Sequence, residues 1–92
     1  MKLDPEKIPA WLRDKKIATE STDPKVLHEL ARRTPYSDVK LKIIENPNTS
    51  LGTLVDLVED PDPKVRDAAL EKVKERFPEE YDGARALYLL NM

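Results

Sequence analysis

Thr22-Asp23-Pro24-Lys25-Val26-Leu27-His28-Glu29-Leu30-Ala31 lies over Thr49-Ser50-Leu51-Gly52-Thr53-Leu54-Val55-Asp56-Leu57-Val58 at an offset of 27 residues. Thr22 matches Thr49, Leu27 matches Leu54 and Leu30 matches Leu57. Further on, Val39-Lys40 matches Val65-Arg66 and Glu45 matches Glu71, now at an offset of 26. The one-residue slip falls where Arg33-Thr34-Pro35-Tyr36-Ser37 opposes Asp60-Pro61-Asp62-Pro63. A linker absorbs such a slip and a helix face does not. The chain therefore reads as two copies of one unit, each relying on a neighbour to cover its apolar side.

Working outward, prolines mark where helices begin. Proline suits the first helical turn, where its missing N–H has no partner to lose, and Asp before it supplies an N-cap. Asp4-Pro5, Asp23-Pro24 and Asp62-Pro63 carry this signature. Ser37 is placed to cap a further helix, Thr49 or Ser50 another, and Pro78 to open the last. Asn46-Pro47 marks a stop, because a residue before proline is pushed out of the helical region. Between these marks the apolar residues recur at helical period. Val65, Ala69, Val73 and Phe77 stripe 63–77, and Leu51, Leu54, Val55 and Val58 stripe 50–59. Val26, Leu27, Leu30 and Ala31 do so in 24–33. Segment 37–45 carries Val39, Leu41, Ile43 and Ile44, with little polar face. Its β-branched residues also suit a strand, but its copy at 63–76 is plainly helical and nothing offers a second strand. A buried helix is the expectation.

The flanks read as degenerate units. Residues 5–15 place Ile8, Trp11 and Leu12 on one face, with Trp11 expected in the core. Pro9 either kinks that helix or starts it, and Ile17-Ala18 reads as a separate short turn. Residues 79–90 carry Tyr81, Ala84, Leu87, Tyr88 and Leu90, with Gly83 costing about 1 kcal/mol of helix propensity. The expected fold is all-α: a short right-handed α-solenoid of two helix-pair repeats with capping helices. Its parts are an N-terminal cap over 1–19, repeats over 20–45 and 46–76, and a C-terminal capping helix over 77–92, in a single domain.

Glu45-Asn46-Pro47-Asn48-Thr49-Ser50, then Leu54, Leu57, Asp60, Val65-Arg66 and Ala69, resembles the variant leucine-rich repeat, a relative in style of the HEAT and armadillo solenoids. The likeness covers roughly 20–76; the first copy departs from it with Glu20-Ser21-Thr22 for the Asn-Pro segment and Lys40 for arginine. The resemblance implies stacked helix pairs in two layers, the second helix of each pair lining a concave face, and a habit of binding proteins or nucleic acids. It implies no reaction. The iron–sulfur segment that precedes such repeats in the original family does not carry over, since cysteine is absent.

Absence of cysteine also excludes disulfides and zinc–thiolate sites. The 37% of charged residues nearly cancel, to a net charge of −2, which is too balanced for a generic nucleic-acid binder. No apolar run approaches the ~20 residues that cross a bilayer, and Met1–Pro5 has no signal-peptide core, so a cytoplasmic location is expected. Gly52 and Gly83 are isolated, so neither a phosphate loop nor a dinucleotide fingerprint exists. His28 reads as a surface histidine. The carboxylates at 56–62 and 79–82 fit solvated helix ends better than an ion loop. No catalytic residue, cofactor or metal ligand is assigned.

The basic residues Lys40, Lys42, Arg66, Lys72, Lys74 and Arg76 fall on the second helix of each repeat. One reading is a strip that meets an acidic partner or a phosphate backbone. The other is a structural ladder in which each base meets a nearby acid, such as Arg66 with Asp62 at i,i+4. Tyr36, in a turn, is placed either to pack there or to anchor a partner. The candidate partner-binding residues are thus Tyr36, Lys40, Lys42, Arg66 and Lys72. The expected role is non-enzymatic protein binding, with nucleic-acid binding through the second-helix basics as the alternative. Tyr88 and Leu90 raise an apolar patch near the C-terminus, so a monomer or a weak homodimer is expected, with no membrane partner.

Overall fold

The fold was read from a computed structural model that describes residues 8–91. Six α-helices follow one another: α1 (Ala10–Glu20), α2 (Pro24–Arg33), α3 (Ser37–Glu45), α4 (Leu51–Val58), α5 (Pro63–Arg76) and α6 (Tyr81–Leu90). A 3-10 turn, Pro78–Glu80, leads into α6. There is no strand among the described residues.

The Asp-Pro starts behave as their chemistry demands. Asp23 accepts a hydrogen bond from the Lys25 amide and Asp62 from the Lys64 amide, each at 2.9 Å, with proline in the first turn. Of the two candidates for α4, Ser50 is the cap: its hydroxyl accepts the Thr53 amide at 3.3 Å. Such caps are worth about 1 kcal/mol each. The third Asp-Pro pair, Asp4-Pro5, lies outside the described residues. Two starts differ from expectation, and a third, at Pro9, follows one of the two readings given above. Ser37 is the first helical residue of α3, and Tyr36 stands before it at the cap position with no side-chain bond of its own. Pro78 opens the 3-10 turn instead of α6. The first described helix begins after Pro9, whose carbonyl accepts the amides of Leu12 and Arg13, and it runs without a break through Ile17-Ala18.

Packing follows an alternating scheme. α1 lies on α2 and α3; α2 on α3 and α4; α3 on α5; α4 on α5 and α6; and α5 on α6. α2, α4 and α6 thus form one row, and α1, α3 and α5 the other. The molecule measures 49 × 25 × 17 Å. Between the rows lie Leu27, Leu30, Val39, Ile43, Leu54, Val58, Val65 and Val73, all without solvent exposure. Complete burial of one such side chain contributes about 1.5–3 kcal/mol. The residues of the matched pairs Leu27/Leu54, Leu30/Leu57 and Val39/Val65 are all buried. Thr22 and Thr49 are not alike: Thr22 is exposed, whereas Thr49 is fully buried and donates its hydroxyl to the Ile43 carbonyl at 2.5 Å.

Polar side chains join successive loops. Asn46, buried at the end of α3, donates from Nδ2 to the carbonyls of Ala18 and Ser21, each at 2.8 Å, across the α1–α2 loop. Its Oδ1 accepts the Asn48 amide at 2.8 Å. Arg76, at the end of α5, does the same work for the α3–α4 loop, donating to the carbonyls of Thr49 at 2.7 Å and Pro47 at 2.9 Å. The Ala18 carbonyl is buried, so losing its donor would cost about 1–3 kcal/mol; the bonds to Ser21, Thr49 and Pro47 are part-buried or exposed and contribute less.

Candidate interaction surface

Lys40 and Arg66 occupy matching places on α3 and α5, and both turn toward the Asp60-Pro61 segment that separates α4 from α5. Lys40 Nζ lies 2.6 Å from Asp60 Oδ1, with the two side chains only 13% and 6% exposed. Asp60 Oδ2 also accepts the Asp62 amide at 2.9 Å. Arg66 does not reach Asp62. Its Nη1 donates to the carbonyls of Asp60 at 3.1 Å and Pro61 at 3.2 Å, while its Nε is buried without a partner. The Asp62 carboxylate is already engaged: one oxygen caps α5 and the other accepts the Ser37 hydroxyl at 2.5 Å. These bonds, Ser37's first and the Lys64 amide's second, hold the Asp62 carboxyl below its ordinary value of 3.8. The expected ladder from Arg66 to Asp62 is therefore replaced by a knot around Asp60 that joins α3 and α5 through the α4–α5 loop.

Lys42 and Lys72 stand apart from that knot. Each lies near a glutamate one turn on along its own helix, Lys42 with Glu45 at 3.4 Å and Lys72 with Glu75 at 3.3 Å. Exposed pairs of this kind contribute little to stability, and each cation has a carboxylate beside it. Lys74 lies over the Tyr81 ring, 5.5 Å from its centroid. Arg76 is occupied by the loop carbonyls described above. The structure thus does not gather the five candidates at one place: Lys40 and Arg66 converge inside, Lys42 and Lys72 lie on separate helices, and Tyr36 belongs to the α2–α3 turn.

His28 departs from the surface reading. It is half-buried between α2 and α4, with Nδ1 2.7 Å from Thr53 Oγ1 and Nε2 3.8 Å from Asp56 Oδ2. Ser50 Oγ stands 3.1 Å from the same Thr53 hydroxyl. A hydroxyl, an imidazole and a carboxylate in line suggest nucleophilic catalysis. The Thr53 side chain, however, is completely enclosed, so its oxygen cannot reach a substrate. Joining α2 to α4 is the work this arrangement can do. An open groove beside it is lined by Pro24, Lys25, His28, Glu29, Ser50 and Gly52. No group of three or more potential metal-ligating side chains occurs among the described residues, and no helix among them is long and apolar enough to cross a membrane.

Trp11 is the clearest correction. Expected in the core, it is 41% exposed, and Tyr36 is 38% exposed. The two line one surface depression together with Pro35, Ser37 and Asp38. Register explains the exposure. Because α1 continues to Glu20, its fully buried residue is Ala18, and Asp14 one turn earlier lies near Arg33 of α2 at 3.7 Å. Trp11 shares that face, but near the start of α1 it meets the exposed Pro35-Tyr36 turn instead of the interior. Sequence reasoning singled out Tyr36 and missed its companion, because the stripe through Ile8, Trp11 and Leu12 ignored the helix beyond Lys15. Comparison with protein families, with curated proteins and with solved structures finds no match to this chain.

Proposed function

We propose that the chain is a non-enzymatic protein-binding module, a short α-solenoid of two helix-pair repeats between capping helices, that docks an extended segment of a partner protein at Trp11, Pro35 and Tyr36. The two rows of helices, with α2–α4–α6 in one and α1–α3–α5 in the other, support the solenoid reading. The observation that carries the docking reading is the shared exposure of Trp11 and Tyr36 in one depression with Pro35. Aromatic rings that remain exposed are favoured anchors at protein interfaces. Rings that flank a groove suit an extended, proline-containing strand, which loses little entropy on binding. Asp38 at the rim favours a basic side chain in that strand. The second-helix basics support the alternative poorly. Lys40 and Arg66 are held by the Asp60-Pro61 segment, and Lys42 and Lys72 each have a glutamate alongside.

The test is a displayed library of short random peptides, panned on the chain and, in parallel, on a Trp11→Ala/Tyr36→Ala variant of equal helicity. Peptides rich in proline and basic residues should be enriched by the parent and lost on the variant. An enriched set that survives the double substitution would overturn the assignment, as would no enrichment at all. A single-stranded oligonucleotide serves as the control. Binding to it that falls steeply with salt and disappears in Lys42→Glu/Lys72→Glu would establish the nucleic-acid function instead.

A further inference from the structure

Two helix flanks far apart in the packing scheme have complementary surfaces. The first belongs to α1, which lies chiefly on α3 and also on α2. Away from them, a groove is lined by Ile8, Leu12, Arg13, Lys15, Lys16, Thr19 and Glu20. Leu12 is 40% exposed at its apolar end, and three basic residues against one acid make the remainder positive. The second flank belongs to α6, which lies on α4, α5 and the turn before it. Ala84 faces that packing and is buried. The opposite side carries Asp82, Gly83, Ala86, Leu89 and Leu90, all exposed. A Cβ added at Gly83 would meet open space. Leu89 and Leu90 are 51% and 81% exposed. Glu79, Glu80 and Asp82 at the start of this segment outnumber Arg85.

We infer that a second copy of this chain lays the outer side of its α6 antiparallel along the α1 groove of the first, head to tail. Antiparallel is the sense that agrees with both gradients. It brings Leu89 and Leu90 to Ile8 and Leu12, and Glu79, Glu80 and Asp82 to Lys15 and Lys16. The small residues Gly83 and Ala86 between the leucines and the acids let the second helix approach closely. The two surfaces differ, so the contact is heterologous: each copy offers one of each, and nothing in the contact itself stops growth at two. This assembly uses a different side of α1 from the Trp11–Tyr36 depression and does not depend on that docking surface.

Sedimentation velocity on the intact chain, over a concentration series reaching the millimolar range, tests it. The mean mass should rise with concentration without levelling at a dimer. Leu12→Glu and Leu89→Glu should each weaken association by roughly tenfold or more, about 1.4 kcal/mol. Each variant keeps one sound surface, so an equimolar mixture should form a one-to-one pair that grows no further. Both leucines are exposed, and helicity by circular dichroism checks that folding is intact. Charge reversal gives a second route: Lys16→Glu and Asp82→Lys should each weaken assembly, and combining them in one chain should restore it. A parent chain that stays monomeric across the series would overturn the inference. So would a mixture that fails to pair, or a plateau at dimer that one of the leucine substitutions leaves untouched.

Discussion

Replacing Lys40 by methionine isolates the energetics of the knot around Asp60. Methionine keeps most of the buried stem of lysine and removes the ammonium that lies 2.6 Å from Asp60 Oδ1. Asp60 is then left as an almost fully buried carboxylate, with one oxygen still accepting the Asp62 amide. Breaking a buried pair from one side costs about 3–5 kcal/mol, chiefly because the remaining charge is stranded. The retained amide bond places this case near the lower end, at about 3 kcal/mol. A domain of this size has a total stability of only roughly 5–14 kcal/mol, so the loss should be plain in urea unfolding followed by circular dichroism. Asp60→Asn should cost less, about 1.5 kcal/mol, since the lysine can swing its head toward water while its stem stays packed. The Lys40→Met/Asp60→Asn pair leaves no stranded charge and should cost no more than about 2 kcal/mol, giving a coupling of at least ~2.5 kcal/mol. Salt screens buried pairs weakly, so the deficit of Lys40→Met should persist in concentrated sodium chloride. A deficit below about 0.5 kcal/mol, or one that vanishes with salt, has the signature of a solvated surface pair and would refute the reasoning.

Other expectations follow from the same contacts. Asn46→Ala removes the donors that reach the Ala18 and Ser21 carbonyls; it should cost about 2–3 kcal/mol, and a thermal midpoint matching the parent's would contradict the bridging role. Asp62 is held below 3.8 in the folded state, so its contribution is complete above that value and is lost as pH falls through the lower, folded one. Ser37→Ala should therefore raise the Asp62 titration point toward 3.8 by NMR and move acid unfolding to higher pH; an unmoved titration would rule this out. Tyr88 donates its hydroxyl to Asp67 at 2.6 Å, and that bond raises the phenol above its ordinary value of 10.0. Its contribution is complete below pH 10.0 and declines as pH rises through the folded value, so Tyr88→Phe should flatten the alkaline end of the stability profile. The sole tryptophan, Trp11, should be readily quenched by acrylamide in the folded chain; protection like that of a core indole would contradict its exposed placement.

Local chemistry made much of the fold legible. Asp23-Pro24 and Asp62-Pro63 contain in two residues both the cap and the permitted proline, so they place helix starts without reference to distant residues. The apolar periodicity that includes Leu27, Leu54, Val39 and Val65 identified interior positions, since all four are fully buried. The reading failed where the deciding contact is remote. Thr53 reaches His28 from 25 residues away, and Asn46 reaches Ala18 across 28; no helical period encodes either. For Arg66 the nearest acid at i,i+4 was an attractive partner, but Asp62 is bound by Ser37, 25 residues before it. Trp11 was misplaced for a local reason: an aromatic residue on an apolar stripe was given to the interior before the full length of its helix was known.

Asn46 and Arg76 hold neighbouring loops by main-chain oxygens alone. A carbonyl is the same atom whatever side chain stands beside it, so this grip makes no demand on the identity of the residues it holds. At the exposed Pro47, a substitution that keeps the backbone path would therefore leave the grip intact, whereas Ala18 and Thr49 are also fixed by the burial of their own side chains.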